Sequence, residues 1–281
     1  MAFLSAPEGQ FGLFGQLSQP EQTAQHIRTS SFANAASDSA LPSTVRQQIA
    51  DTSGTSASDA DGLQSLSGDE PAEALSASYL DASRTDSLVK MLRDPTNPAV
   101  IVNKQNPIAA HGYVPQRLVN IQDYGVPCRG KNNQLVPEAA AALAQMYRAA
   151  QDNGAGFWLL SGFRTESVQD RLYQEALAED GAKRSAKPRY SEHQTGFAAD
   201  ISTQAYLSVS FGTTPAGIWL AANAWRYGFI LRYPQGGESV TGFEYEPWHF
   251  RYIGVASAAR MHESGARTYE EFVGLPAAPQ Y

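Results

Sequence analysis

The alternation of apolar and polar positions divides this chain of 281 residues into a polar first third and a longer, regularly patterned remainder. From residue 95 onward, short apolar runs bounded by glycine or proline alternate with stretches in which apolar residues recur every three or four positions. Short apolar runs are typical of strands, and the wider recurrence is typical of amphipathic helices. The pattern therefore predicts a mixed α+β domain over residues 95–281.

Five apolar or β-branched runs predict strands, at residues 100–102, 157–161, 198–202, 229–233 and 243–253. The last two are joined by a glycine-containing loop with no room for a crossover helix, so we expect them to pair antiparallel. Alternation along the last run places Trp248, Phe250 and Tyr252 on one face. We expect this aromatic face to pack and His249 and Arg251 to face a cleft.

Four helices are predicted in the same region, at residues 137–151, 165–180, 215–227 and 255–264. Proline in the first turn favours the first of them, and glycine follows the second and third, as is typical of helix ends. A strand pair without a crossover favours an α+β fold with a small antiparallel sheet flanked by helices over a doubly wound sheet.

The first 94 residues form a low-complexity polar segment. They carry 12 acidic and 5 basic side chains, so the whole net charge of −7 lies here, whereas all four tryptophans lie later. A stretch such as residues 51–68, which has almost no large apolar side chain, cannot offset the entropy cost of ordering. We therefore expect a largely disordered tether over 1–94, with a lead-in helix at 70–93 that Asp94 and Pro95 terminate.

Composition also argues against several kinds of partner. The chain has no run of basic residues, so nucleic acid is not an expected partner. No stretch approaches the roughly 20 apolar residues of a membrane span. Residues 1–10 lack the basic flank and apolar run of a secretion signal, so no signal peptide is visible.

Two of the five histidines stand in patterns that suggest chemistry. His193 lies in a predicted loop just before the strand 198–202, within which Asp200 is set among apolar residues. A carboxylate in such a setting needs a cation or several hydrogen-bond donors. His249 lies in the last predicted strand, close to Glu244 and Glu246.

Two imidazoles and a carboxylate suit Zn²⁺, and three protein ligands leave a fourth position for water, as in catalytic zinc sites. A nearby carboxylate is then needed to accept the proton of the water, and Glu244 and Glu246 are both candidates. The alternative interpretation is a pair of hydrogen-bonded core histidines and an aspartate that caps a turn.

Four blocks of this sequence resemble the VanY-type D-alanyl-D-alanine carboxypeptidases, a zinc-dependent family that acts on peptidoglycan. The blocks are SGFRTESVQ at 161–169, SEHQTGFAADI at 191–201, YGFILRYP at 227–234 and TGFEYEPWHFRYIG at 241–254. They occur in the order expected for the family. With the segment 100–107, the resemblance covers about residues 95–265.

The resemblance implies a role for individual residues. It makes His193, Asp200 and His249 the zinc ligands, Glu246 rather than Glu244 the catalytic base, and Arg164 the residue that binds substrate and steadies the oxyanion. It places Gln169 and Ser191 in the substrate pocket. Arg232 adds positive charge to this pocket or belongs to a structural ion pair, and the sequence leaves both interpretations open.

The function implied is hydrolysis of the terminal D-alanine from the peptide stems of peptidoglycan. The alternatives are an L,D-carboxypeptidase acting on tetrapeptide stems and a cell-wall-binding module that holds zinc without cleaving. Since this substrate lies outside the cytoplasm, the resemblance implies an extracytoplasmic location. We expect a monomer.

Overall fold

A four-stranded antiparallel sheet forms the centre of the part of the chain that the computed structural model describes, residues 86–178 and 185–281. The strands in this part are β1 Val119–Asn120, β2 Gln134–Leu135, β3 Trp158–Ser161, β4 Ala198–Ser202, β5 Phe229–Leu231 and β6 His249–Tyr252. The helices are α1 at residues 86–93, α2 Pro137–Asp152, α3 Glu166–Ala178, α4 Pro215–Asn223, α5 Glu238–Thr241, α6 Val255–Ser264 and α7 Tyr269–Phe272.

The strand order in the main sheet is β3-β4-β6-β5, and every neighbouring pair is antiparallel. The small strands β1 and β2 pair separately. All five residues of β4 are buried, as expected of an inner strand covered on both faces. Within this strand, Asp200 is directly opposite His249 of β6.

Helix α2 covers one face of the sheet. Proline at its first position suits a helix start, because N–H groups in the first turn have no acceptor within the helix and proline therefore loses no hydrogen bond. Leu143 and Met146 are fully buried and belong to the same hydrophobic cluster as Leu159, Ile201 and Phe250 of the sheet. Burial of each such side chain contributes roughly 1.5–3 kcal/mol, so this face is a main source of stability.

The short helix α7 closes a second cluster on the other side of β5. Its first residue is held by a capping box, in which Thr268 and Glu271 bond each other's backbone N–H groups. Tyr269 is buried in this second cluster with Ile230, Ile253 and Met261. The next residue, Glu270, is thereby held in the interior, with 0% exposure.

Two predicted strands are wrong in whole or in part. Residues 100–102 form no strand, because the N–H of Ile101 bonds Leu92 and the chain then turns through an isolated bridge between Asn103 and Asn106. The run 243–253 is strand only from His249 to Tyr252. A turn precedes it, closed by the N–H of His249 on the carbonyl of Glu246.

The other predicted elements agree more closely with the structure. The α+β class, the antiparallel pairing of β5 with β6, the strand 198–202 and the helix 255–264 are confirmed. The helix predicted at 215–227 is α-helical to Asn223 and continues as a 3₁₀ turn to Tyr227. The lead-in helix is helical over 86–93, while the rest of that prediction and the tether through residue 85 lie outside the described residues.

No helix among the described residues is both long enough and apolar enough to span a bilayer.

Candidate metal centre and active-site cleft

Three side chains from separate parts of the sequence converge at one end of the sheet. His193 comes from a 3₁₀ turn, Asp200 from β4 and His249 from the start of β6. One candidate ligand atom from each lies within 4.8 Å of the other two. All three residues are buried, so their polar atoms must be satisfied by one another or by a bound group.

Backbone geometry accounts for this convergence. Asp200 and His249 are cross-strand partners, which places their side chains side by side. The turn that carries His193 ends at Gly196, whose φ of 76° is a left-handed conformation that favours glycine. A Cβ at Gly196 would also lie 3.0 Å from Val136, so glycine is needed both for the turn and for its packing.

Hydrogen bonds fix which ring nitrogen of each histidine is free. Nδ1 of His193 lies 2.7 Å from the carbonyl oxygen of Gly162, which can only accept, so Nδ1 carries the proton and Nε2 points inward. Nε2 of His249 lies 3.2 Å from Oε2 of Glu192, which leaves Nδ1 of His249 toward Asp200. Metal-binding histidines are commonly held this way, with the second nitrogen donating to a carbonyl or carboxylate.

The atoms at the centre lie close together without satisfying one another. Nε2 of His193 is 3.2 Å from Oδ2 of Asp200, and Nδ1 of His249 is 3.3 Å from Oδ1. Even so, Nε2 of His193 and Oδ1 of Asp200 have no hydrogen-bond partner of good geometry among the described residues. Buried atoms that face a common point without bonding suit a cation, and two imidazoles with one carboxylate suit Zn²⁺.

The pKa values of the two histidines of the centre are shifted in opposite directions. Burial, reinforced by the Arg164 guanidinium, lowers the pKa of His193 to about 4. Burial also opposes the charged form of His249, but its contacts with Asp200 and Glu192 raise its pKa to about 9. The pKa of Asp200 lies well below its ordinary value despite burial, because His193 and Arg164 favour the carboxylate. The centre therefore presents an ionised carboxylate between the two rings.

Glu246 stands at the edge of this centre. Its Oε2 lies 3.6 Å from Nδ1 of His249, and its backbone N–H bonds the carbonyl of Tyr233. Burial raises the pKa of the Glu246 carboxyl to about 8. A carboxylate with a raised pKa beside a metal site is suited to accepting a proton from water.

Arg164 extends from the loop between β3 and α3 into the cleft. Its guanidinium forms an ion pair with Asp200, and its Nε donates to Oγ of Ser161 at 2.9 Å. Gln169 lies beside it, with Oε1 at 3.5 Å from the guanidinium and Nε2 donating to the carbonyl of Ala186 at 2.7 Å. Ser191 lines the same cleft, so the structure brings these three residues into its lining.

Arg232 and Arg251 do not line this cleft. Both side chains are fully buried behind the metal centre, where Arg232 pairs with Glu192 and Glu270 and Arg251 pairs with Glu192. The expectation that Arg251 faces the cleft is wrong, because its guanidinium bonds Glu192 and the carbonyls of Pro98 and Val100. Arg232 therefore forms a buried ion pair, which was the second of its two interpretations.

Glu192 is the residue of the site that the sequence interpretation missed. It lies directly before His193, and the only signal was a charged residue next to a predicted ligand. Aromatic walls were missed as well. The ring of Tyr233 lies 4.9 Å from that of His249 and 4.7 Å from that of Phe243, which closes one side of the cleft.

The residues that line the cleft differ in polarity and exposure. Gln169 and Ser191 are 1% and 5% exposed, whereas the apolar Leu207 is 39% exposed. Beyond Leu207 and Trp248 the cleft continues into a groove of about 380 Å³, lined also by Val209, Glu244 and Tyr245. This groove offers a path for the rest of an extended ligand that ends beside Gln169 and Ser191.

Comparison with known proteins agrees with this geometry. Residues 132–255 match the family model VanY, described as D-alanyl-D-alanine carboxypeptidase. The putative carboxypeptidase YodJ of Bacillus subtilis (strain 168) is 36% identical over 203 residues, which cover 69% of this chain and 73% of that protein.

Two solved structures are also similar to this chain. The LdcB LD-carboxypeptidase is 35% identical with a TM-score of 0.59, over 64% of this chain and 87% of that one. A mutant of the vancomycin resistance D,D-pentapeptidase VanY in complex with Zn(II) is 30% identical with a TM-score of 0.52, over 62% of this chain and 97% of that one. Together with the ordered sequence blocks and the converging ligand set, these similarities show that the chain belongs to the VanY family of D-alanyl-D-alanine carboxypeptidases.

Proposed function

We propose that this protein is a zinc-dependent carboxypeptidase that removes the terminal D-alanine from the peptide stems of peptidoglycan. The observation that carries the proposal is the convergence of His193, Asp200 and His249, with inward-facing atoms within 4.8 Å of one another, beside the buried carboxyl of Glu246. A structural pair of core histidines would satisfy its own polar atoms, whereas here Nε2 of His193 lacks a partner among the described residues.

In this proposal Nε2 of His193, Nδ1 of His249 and a carboxylate oxygen of Asp200 hold the ion. Bound zinc supplies a Lewis acid for the scissile carbonyl and lowers the pKa of a coordinated water. Glu246 accepts the proton of that water and delivers it to the leaving amine of D-alanine. Burial raises the pKa of Glu246 to about 8, and a cation held by the three ligands would lower it, which would favour the ionised base near neutral pH.

Arg164 supplies the fixed positive charge of the cleft. Its bonds to Ser161 and Asp200 hold the guanidinium beside the metal centre before any substrate binds. Donors held in advance stabilise charge that develops in the transition state without reorganising. We assign Arg164 to the oxyanion that forms on the scissile carbonyl.

The lining of the cleft favours one direction of the substrate. A terminal D-alanine has a free carboxylate, which suits the buried polar side chains of Gln169 and Ser191 and the positive charge of Arg164. The rest of the stem leaves past Leu207 and Trp248 into the apolar groove. The proposed enzyme therefore cleaves from the carboxyl end of a peptide and tolerates a long amino-terminal side.

An L,D-carboxypeptidase acting on tetrapeptide stems is the second candidate. It is favoured by the 35% identity with LdcB, which is an LD-carboxypeptidase. The same residues would perform the same chemistry, and only the configuration of the residue before the bond would differ. A module that holds zinc without cleaving is less consistent with Glu246, since a binding site has no need for a buried base beside the ion.

The proposed substrate also sets a location. Peptidoglycan lies outside the cytoplasm, so we propose that the protein acts there as a monomer. Nothing in the chemistry of the cleft requires a second subunit.

Digestion of defined stem peptides tests the proposal. The full chain would be incubated with muropeptides ending in D-Ala-D-Ala and with tetrapeptides ending in one D-alanine, and products would be identified by mass spectrometry. We expect loss of one alanine from the pentapeptide, abolished by a chelator and restored by zinc. Cleavage of the tetrapeptide alone would replace the D,D-assignment with the L,D-assignment, and cleavage of neither would overturn both.

A further inference from the structure

Four charged side chains form a buried cluster behind the metal centre, and of these only Glu192 also lines the cleft. They are Glu192, Arg232, Arg251 and Glu270, all between 0% and 1% exposed. The guanidinium of Arg232 bonds both carboxylate oxygens of Glu270, at 2.6 and 2.9 Å. Asn103 donates a further hydrogen bond to Glu270 at 3.0 Å.

The charges of the cluster balance, with two carboxylates and two guanidiniums. An unpaired buried charge costs several kcal/mol, and removal of one member of a buried pair destabilises by roughly 3–5 kcal/mol. A balanced cluster keeps each member ionised, and Glu192 in particular stays a carboxylate that can only accept hydrogen bonds.

Glu192 divides its two oxygens between the cluster and the metal centre. Its Oε1 accepts from Nε of Arg232 and from the Arg251 guanidinium, both at 2.8 Å. Its Oε2 lies 3.2 Å from Nε2 of His249. One carboxylate therefore connects two fixed cations with the imidazole that faces Asp200.

From this arrangement we infer that Glu192 is a positioning residue for the metal centre, which selects Nδ1 of His249 as the nitrogen that binds the ion. Because both arginines hold Oε1 in place, Oε2 has a fixed position and accepts the Nε2–H of the ring. The proton is thereby kept on Nε2, and the lone pair of Nδ1 is directed toward Asp200. This inference rests on the proposed zinc site and adds the residue that orients it.

The cluster contains its own matched control. Glu270 has the same charge and burial as Glu192 and shares its partner Arg232. Its other hydrogen bond is to Asn103, whereas Glu192 also bonds Arg251 and lies beside His249. Glu192→Gln and Glu270→Gln each remove one negative charge from the cluster, and only the first also changes the side chain beside the imidazole of His249. A purely structural role predicts the same zinc affinity for both folded variants.

The test measures zinc affinity of the full chain and both variants by competition with a chromogenic chelator, alongside the urea midpoint. Outer partners of metal ligands typically contribute about 10–100-fold to affinity, so we expect a loss of that size in Glu192→Gln and less than about threefold in Glu270→Gln. Equal affinities in the two variants, whether both retained or both reduced, would overturn the inference. Zinc binding and cleavage by the unaltered chain would then still support the proposed function.

A second measurement uses only the unaltered protein and so tests the inference even if a variant fails to fold. Nitrogen-15 NMR of the unaltered, zinc-loaded protein distinguishes a metal-bound ring nitrogen from one that carries a proton. We expect Nε2 of His249 to carry the proton and Nδ1 to bind the ion. Metal on Nε2 would overturn the inference, whatever the stability of the variants.

Discussion

Oδ1 of Asp200 and Nδ1 of His249 lie 3.3 Å apart across the paired strands β4 and β6. The two residues are direct cross-strand partners, so the register of the sheet sets their distance. A slip of one residue would turn either side chain to the opposite face. Two of the three proposed ligands are therefore fixed by the pairing of two largely buried strands, and only His193 depends on a turn.

Glu246→Gln should abolish turnover while zinc is retained. The amide cannot accept a proton from water, and loss of a general base typically lowers the rate by about 10²–10⁴-fold. Glu246 is not among the three proposed ligands, so one zinc ion per chain should remain, measured by inductively coupled plasma mass spectrometry. Glu244→Gln is the matched control and should lower kcat far less, since Glu244 lines the groove and not the metal centre. A fully active Glu246→Gln would contradict the assignment.

The stability of the zinc-free protein should fall as pH rises from about 6.5 to 9. Contacts with carboxylates raise the pKa of His249 from 6.5 to about 9, and burial raises that of Glu246 from 4.5 to about 8. The folded chain then binds more protons than the unfolded chain in this window, so stability decreases with increasing pH. The lowered pKa of His193 acts only below 6.5.

Urea unfolding midpoints of chelator-treated protein, measured at the lower and the upper pH of this window, test whether stability falls. Added zinc takes the place of the proton on Nδ1 of His249, so its stabilising effect should grow with pH. A zinc-free midpoint that rises between the two values would show that His249 and Glu246 do not hold extra protons.

Arg164→Lys should lower kcat by about 10²–10³-fold, the usual cost of losing a fixed donor to an oxyanion. A lysine ammonium cannot bond Ser161 and Asp200 with the fixed fork of a guanidinium, so its charge would not be held in one position. The control is Arg171→Lys on helix α3, where the side chain is 61% exposed and pairs with Glu175. Steady-state release of D-alanine compares the two, and equal rates would remove Arg164 from the mechanism.

Changes in the groove should affect long substrates and spare short ones. Val209 is 60% exposed and lines the groove, so Val209→Ser removes apolar contact area without disturbing the core. We expect KM to rise about threefold to tenfold for a complete stem pentapeptide, since partial burial of one such side chain stabilises by roughly 1 kcal/mol. KM for an acetylated D-Ala-D-Ala dipeptide should not change.

Ile218→Ser is the control for this experiment, because Ile218 is 59% exposed on α4 and does not line the groove. Equal increases for the long and short substrates in Val209→Ser would show that the stem does not lie in the groove.

The sequence predicted the ligand residues because they lie in short, ordered blocks that resemble the VanY-type carboxypeptidases, while residue types alone left structural histidines as an alternative. It also predicted the elements with strong local signals, such as α2 with its proline start and the apolar strand β4. The strand predicted at 100–102 was wrong because a short apolar run can also be buried in a loop. There its backbone forms hydrogen bonds within turns and not with a neighbouring strand.

The cluster around Glu192 was beyond reach for a different reason. Its members are 38 to 59 residues apart in the pairs that touch, so no local period connects them. Strand alternation correctly predicted that Arg251 points away from the aromatic face. It does not predict whether that side chain then faces an open cleft or forms a buried ion pair. Only the folded structure shows that this face of β6 is covered by Glu192.

Anomalous diffraction at the zinc absorption edge, from crystals of the full chain grown with zinc, tests the central claim most directly. We expect one strong peak, bonded to Nε2 of His193, Nδ1 of His249 and a carboxylate oxygen of Asp200. A peak at other residues, with these three side chains bonded only to one another, would contradict it.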